Sequence, residues 1–237
     1  MTLSRRHLRL LALALVVGLA FTATLVWAAP GVSLVDPPRT GYDPLSPEEQ
    51  EQARALAVQQ GEFAIAVNAA SRSELLLIER HAEEKAVTQS GNWPRRADVY
   101  TYVYDSDTLL RAVVNLTSGQ VDSVETAQDV QLPLTQKETE SAVQILMADA
   151  ALMGDIAAQY QAITGEALTQ PKTQLKFSGL IYRADSMPGA NAGAEGCGLH
   201  RCAQFLIATQ NDVVINRLPI VDLSLGALVS AGPFVGN

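Results

Sequence analysis

One phrase is written twice in this chain. Pro44-Leu45-Ser46-Pro47-Glu48-Glu49-Gln50-Glu51 opens one segment and Pro133-Leu134-Thr135-Gln136-Lys137-Glu138-Thr139-Glu140 opens another. Each segment then runs through an apolar-periodic helix and strand-like stretches to a second matching pair. These are Val114-Asn115-Leu116-Thr117-Ser118-Gly119-Gln120-Val121 and Val221-Asp222-Leu223-Ser224-Leu225-Gly226-Ala227-Leu228. A period of about 90 to 110 residues is too long for a solenoid repeat and long enough for each copy to own a core. Two tandem domains of one fold are therefore expected, over residues 43–130 and 131–237.

The first copy starts at Ser46, a helix N-cap followed by Pro47 at the first helical position and Glu49 where a capping box needs it. Ala53, Leu56 and Ala57 give that helix its apolar face, and Gly61 reads as its stop. Strands are expected at Glu74–Glu79, Arg95–Tyr104, Leu109–Leu116 and Gln120–Glu125. Asp105-Ser106-Asp107 and Thr117-Ser118-Gly119 supply the turns. In the second copy Thr135 caps and Glu138 completes the box, while Ala142, Ile145, Leu146, Met153 and Ile156 form one longer helical stripe. Strands follow at Gln174–Tyr182, Ala203–Thr209, Val213–Leu223 and Ala227–Ala231, with a Gly-, Ala- and Asn-rich loop over Asp185–Leu199.

One helix packed across a roughly four-stranded antiparallel meander buries both apolar faces. The expected class is α+β, cystatin-like, in two copies, with Leu56 and Ile145 in separate cores. Along Arg95–Tyr104, Val99, Thr101 and Val103 share one face, and Tyr100, Tyr102 and Tyr104 share the other. The tyrosine row is either an interaction face or the cover of a sheet beneath a loop or the neighbouring domain.

The N-terminus carries Arg5, Arg6 and Arg9 ahead of an apolar run from Leu10 to Ala29, with Val26-Trp27-Ala28 before a natural cleavage point. Residues 1–28 are expected to be a signal peptide, by an ordinary or twin-arginine route, or a retained membrane anchor. Residues 29–42, rich in Pro and Gly, are the expected linker. The chain is thus expected to be exported across a bacterial plasma membrane, touching lipid only through its N-terminal segment. Cleavage would remove three arginines and no carboxylate, moving the formal charge from −8 to −11. So acidic a chain is a poor partner for nucleic acid or anionic lipid.

Cys197 and Cys202 are the two cysteines, and in an exported chain they read first as a disulfide. The alternative makes Cys197, His200 and Cys202 three metal ligands, but no second ligand pair exists to complete a site. His81 and His200, the histidines beyond the leader, read as ordinary surface or loop residues. Glu48/Glu49 and Glu83/Glu84 read as solvated helix-end and surface charge. No Gly-x-Ser-x-Gly elbow and no phosphate-cradling glycine loop is present. Neither a catalytic residue nor a cofactor or metal site is expected.

Asp43-Pro44-Leu45-Ser46, Arg95-Arg96-Ala97-Asp98-Val99, Val113–Val121, Val130-Gln131-Leu132-Pro133-Leu134-Thr135 and Pro219–Ser224, in this order and spacing, cover most of residues 43–231. Together they resemble the small N-terminal domains that precede the catalytic β-sandwich of copper amine oxidases. The resemblance implies a helix-on-sheet fold in two copies, but not the oxidase chemistry. That chemistry needs a tyrosine in Asn-Tyr-Asp/Glu, processed to topaquinone, and three copper-binding histidines. None of the six tyrosines here follows an asparagine, and residue 237 falls where the resemblance would place the start of the oxidase domain. The expected function is non-catalytic binding to a protein partner, an oxidase chain being one candidate. The alternative is an inhibitor or pro-domain-like module of a secreted peptidase.

Overall fold

The Ser46 hydroxyl accepts from the Glu49 N–H at 3.2 Å, and the Glu49 carboxylate takes the Ser46 N–H at 2.8 Å. This reciprocal box starts α1 (Pro47–Ala57). Its counterpart joins Thr135 to Glu138 at 3.0 and 2.8 Å and starts α4 (Gln136–Ala148). The computed structural model describes residues 41–91, 93–186 and 192–233. The expected leader, the linker up to Thr40 and the middle of the Asp185–Leu199 loop lie outside them.

In the first repeat α1 is followed by α2 (Gly61–Ala69), β1 (Ser73–Arg80), the short α3 (Lys85–Gln89), β2 (Arg96–Val103), β3 (Thr108–Asn115) and β4 (Gln120–Ala127). The second has α4, α5 (Ala150–Thr164), α6 (Pro171–Gln174), β5 (Leu175–Tyr182), β6 (Cys202–Thr209), β7 (Leu218–Asp222) and β8 (Ala227–Gly232). Each repeat forms one antiparallel meander, β1-β2-β3-β4 and β5-β6-β7-β8. The class is α+β with two tandem four-stranded sheets.

The two copies share more than strand order. A bulge falls just before the Val114–Val121 pair in one sheet and just before the Val221–Leu228 pair in the other. The Arg95 carbonyl accepts from Leu116 N–H at 2.8 Å, and the Arg201 carbonyl from Leu223 N–H at 2.8 Å. Arg95 N–H donates to the Thr117 hydroxyl at 3.0 Å and Arg201 N–H to the Ser224 hydroxyl at 3.1 Å. Each arginine side chain then grips its own capping-box carboxylate, Glu49 or Glu138. Such repetition of side-chain detail is the physical content of the doubled phrase.

Each sheet carries its own core. Ala53 and Ala57 face the first sheet from α1, and so small a helix face lets the helix lie close. Phe63 of α2 supplies the volume, against Val99, Ala112 and Val114. In the second, Ala142 and Leu146 of α4 join Leu152, Ile156 and Tyr160 of α5 over Phe205, Ile207 and Val221. Leu56 and Ile145, expected as core residues, are only partly buried at the edges of these clusters.

Four further expectations are corrected. Each sheet carries two main helices, not one. Gly61 does not end the helical stretch: α1 stops at Ala57, and Gly61, at φ +65°, opens α2. The long stripe Ala142–Ile156 is broken at Asp149, where the chain turns by 88°. Asp149 leaves helical geometry (φ −80°, ψ 105°) and caps α5, its carboxylate accepting from Leu152 N–H at 2.8 Å. β7 is shorter than expected, because Arg217 N–H turns back to the Ile215 carbonyl at 2.7 Å. Among the described residues, no single helix is long and apolar enough to cross a membrane.

Candidate functional site

The tyrosine row of β2 meets the second repeat. Tyr102, 1% exposed, stacks edge-on with Tyr104, ring centroids 5.3 Å apart. The Tyr102 hydroxyl donates to the Asp107 carboxylate at 3.2 Å and lies 3.4 Å from the Leu199 carbonyl of the second repeat. The Tyr104 hydroxyl donates to Glu138 at 2.7 Å. Burial first, and then the charge of Asp107, pushes the Tyr102 phenol up to about 12. Burial and the Glu138 carboxylate push Tyr104 further in the same direction. Both phenols therefore stay neutral donors at any physiological pH. Tyr100 is different: it is half-buried beside Arg111, whose guanidinium lies 6.0 Å from the ring.

Glu138 sits at the centre of this seam. Burial opposes its ionisation, but the hydrogen bonds and charge of Arg201 outweigh burial, with help from Thr135 N–H and Tyr104. Its carboxyl is held below the ordinary value. Arg201 is fully buried and spends all five of its N–H donors. Nε and Nη2 reach Glu138, Nη1 reaches Gln131 Oε1 at 3.2 Å and the Leu132 carbonyl at 3.0 Å, and Nη2 reaches the Pro133 carbonyl at 3.0 Å. Arg95, at the same place in the first repeat, makes the same contacts to Glu49, Asp43 and Pro44 nearer the surface.

Above this pair the two repeats leave a cleft of about 440 Å³, lined among others by Arg72, Glu74, Tyr104, Lys137, Ser141 and Ile145. The Arg72 guanidinium lies 5.2 Å over the Tyr104 ring and donates to the Leu223 carbonyl at 3.0 Å and to the Ser224 carbonyl. Lys137 pairs with Glu74 across the cleft at 2.5 Å. The walls thus present charges of both signs, Arg72 held by two backbone carbonyls of the second repeat and Glu74 by the Lys137 side chain.

The histidines, expected as ordinary surface or loop residues, lie outside the named helices and strands, are half-buried, and are each paired with a carboxylate. His81 Nδ1 lies 2.8 Å from Asp98, a 3%-exposed carboxylate that Arg111 also grips at 3.0 Å. His200 Nδ1 lies 2.7 Å from Asp222. Two of the expected surface carboxylates are likewise engaged: Glu49 by Arg95, and Glu83, nearly buried, by Arg96 at 2.9 Å. Among the described residues no group of three or more His, Cys, Asp or Glu could hold a metal ion. The Tyr102 and Tyr104 phenols are raised and the Glu138 carboxylate is tied to a guanidinium, so none of these three is a free acid or base at neutral pH.

Cys197 and Cys202 are bonded, with Cα atoms 5.5 Å apart. The bridge closes the end of the loop and packs on Tyr182, Ala194 and Ile220 on the outer side of the second sheet. Thiol titration of the denatured, unreduced protein should find no free sulfhydryl. Cys202→Ser should lower stability by on the order of 2 kcal/mol, the chain-entropy value for so small a ring. Two free thiols, or no change in the denaturation midpoint, would contradict this.

Arg201, Glu138, Arg72 and Asp107 were not singled out from the sequence as site residues. The available signal was positional: an arginine just before the second strand of each sheet, ahead of the phrase that closes the repeat by nearly the same distance (114 − 95 = 19 and 221 − 201 = 20 residues).

No family model matches the chain, and no curated protein matches its sequence. Among solved structures, the chain is similar to a copper-containing benzylamine oxidase from Hansenula polymorpha, with a TM-score of 0.53 and 14% sequence identity. The likeness covers 84% of this chain and 30% of that one, so the chain spans under a third of its neighbour's length. At this identity the likeness is one of fold.

Proposed function

We propose that this chain is an exported binding module, two copper amine oxidase N-terminal-like domains that act by docking rather than by catalysis. Its partner is a separate protein chain, an oxidase catalytic chain being the first candidate. The observation that carries the proposal is the composition of the cleft between the repeats. Glu74 and Lys137 are paired, Glu138 is held by Arg201, and Arg72 is spent on two backbone carbonyls. Such a surface is preorganised to meet complementary charge on a partner, and it offers no nucleophile beside a base. The motif order of residues 43–231 supports the oxidase side of the reading; fold resemblance alone would not assign it.

Affinity capture on the tagged mature protein, with mass spectrometry of what is retained, tests the partner. An oxidase catalytic chain should be recovered, and recovery should fall when Glu74 and Lys137 are exchanged in sign. Recovery of a peptidase instead would replace this reading with an inhibitor-like one. The purified protein, loaded with copper, should release no hydrogen peroxide from primary amines and show no quinone absorbance. Sustained catalase-sensitive turnover would overturn the non-catalytic assignment.

A further inference from the structure

We infer that His200 is a pH-sensitive latch between the two repeats: its imidazole is fixed by a carboxylate of its own repeat and faces a carboxylate of the other. Nδ1 lies 2.7 Å from Asp222 Oδ2, at the end of β7. Nε2 lies 3.8 Å from Asp107 Oδ2, in the turn between β2 and β3 of the first repeat. A protonated ring serves both carboxylates with an N–H and a charge, whereas a neutral ring has one proton and serves one. Because Asp222 is 2% exposed and pairs through Nδ1, the proton lost on titration is the one facing Asp107.

Asp107 is the hub on which the seam converges. Its Oδ1 accepts from the Tyr102 hydroxyl of its own repeat and from the Ser224 hydroxyl of the other. Ser224 in turn accepts from Arg201 N–H at 3.1 Å, and Asp222 Oδ1 accepts from Leu225 N–H at 2.8 Å. A charge change at His200 therefore reaches the Ser224-Leu225 turn, whose Ser224 carbonyl is held by Arg72 in the cleft.

The ring is rigidly presented. The Cys197–Cys202 bridge closes a small loop around it, with His200 N–H bonded to the Gly196 carbonyl at 2.9 Å and Gly198 N–H to the His200 carbonyl at 3.0 Å. Gly196 leaves the ring its space; a Cβ there would sit 3.3 Å from Nδ1. Among the described residues, the charged groups around the loop are engaged, Glu195 by the Gly193 N–H at 2.9 Å. Asp222 and Asp107 face the ring, Arg201 is held by Glu138, and Arg183 is paired with Asp185 at 2.6 Å. Tyr102 stays neutral throughout the range concerned.

The hydrogen bond to Asp222 raises His200 above its ordinary 6.5, against the opposing effect of burial. A raised histidine contributes stability that is fully present below pH 6.5 and is lost as pH rises through the folded value. The latch is therefore closed in mildly acidic medium and loosens toward alkaline pH.

The test uses the intact, disulfide-bonded protein and its His200→Gln and Asp107→Asn variants, and it is independent of any partner. Ring proton shifts should show His200 of the wild type titrating above 6.5, and Asp107→Asn should bring that titration down. Protection factors at the Ser224 and Leu225 amides, corrected for intrinsic exchange, should fall several-fold across the same titration in the wild type. They should be flat with pH in His200→Gln. Asp107→Asn keeps an acceptor for Tyr102 and Ser224, so the fold survives the loss of charge. Titration of His200 at or below 6.5, insensitivity to Asp107→Asn, or seam protection unrelated to its titration would each overturn the inference.

Discussion

Arg201→Ala should unfold the second repeat under conditions that leave the wild type native. The guanidinium is fully buried and its five donors are all engaged, so truncation leaves the buried Glu138 carboxylate without its counter-charge. It also leaves the Leu132 and Pro133 carbonyls and Gln131 Oε1 without their Arg201 donor, and opens a void beside Tyr102. Removing one partner of a buried ion pair costs about 3–5 kcal/mol, a large part of the 5–15 kcal/mol typical of a whole domain. Arg95→Ala removes the same contacts at the same place in the first repeat, but water reaches both Arg95 and Glu49 and can replace them. Its effect should be clearly smaller. Denaturation midpoints of the two variants, followed by circular dichroism, decide the matter: equal losses would mean that burial of Arg201 is not what makes it matter. The pair also sets an acid limit. Because Glu138 is depressed below 4.5, its contribution is present above that pH and disappears as pH falls through the folded value. Arg201→Ala should lose this acid dependence together with the stability.

The sheets were legible because strand alternation and turn chemistry are local. Arg95–Tyr104 alternates, and Asp107, Gly119 and Asp212 take the positive φ their turn positions require. The capping boxes were legible for the same reason, since both partners lie within one turn. The α4–α5 corner was hidden because the turning residue is an aspartate whose neighbours keep a helical period on either side. In α2, apolar residues point both ways: Phe63 is buried and Ile65 is 71% exposed, so no amphipathic stripe announces the helix. The seam was least visible. Arg201 meets Glu138 because the start of β6 folds back beneath α4 within the second repeat, and His200 meets Asp107 because the two repeats are brought together; no window of sequence contains both members of either pair. The cystatin-like single-helix picture thus captured the sheets and missed the groups that join them.

Phe63→Ala and Phe205→Ala should each cost about 3–5 kcal/mol and should damage different repeats. Phe63 is fully buried under α1 and α2 against Val99 and Val114, and Phe205 is fully buried under α4 and α5 with Leu146 and Ile156. Among the described residues none belongs to both buried clusters, and Tyr104 is the one that reaches from the end of β2 to pack on the second core. Hydrogen exchange of Phe63→Ala should therefore show lost protection in β2 and β3 with β6 and β7 nearly intact, and Phe205→Ala should show the converse. Loss should spread across the seam only where charge holds it: at Tyr102, Tyr104 and the Ser224 turn, which depend on both sheets being in place. Ile145 offers the control, because it is partly buried and lines the cleft. Ile145→Ala should cost less than Leu146→Ala, whose side chain is completely enclosed. If Phe63→Ala instead lowers protection uniformly in both sheets, the repeats fold as one cooperative body. The seam of Arg201, Glu138 and His200 would then be an interior feature of a single domain and not a joint between two.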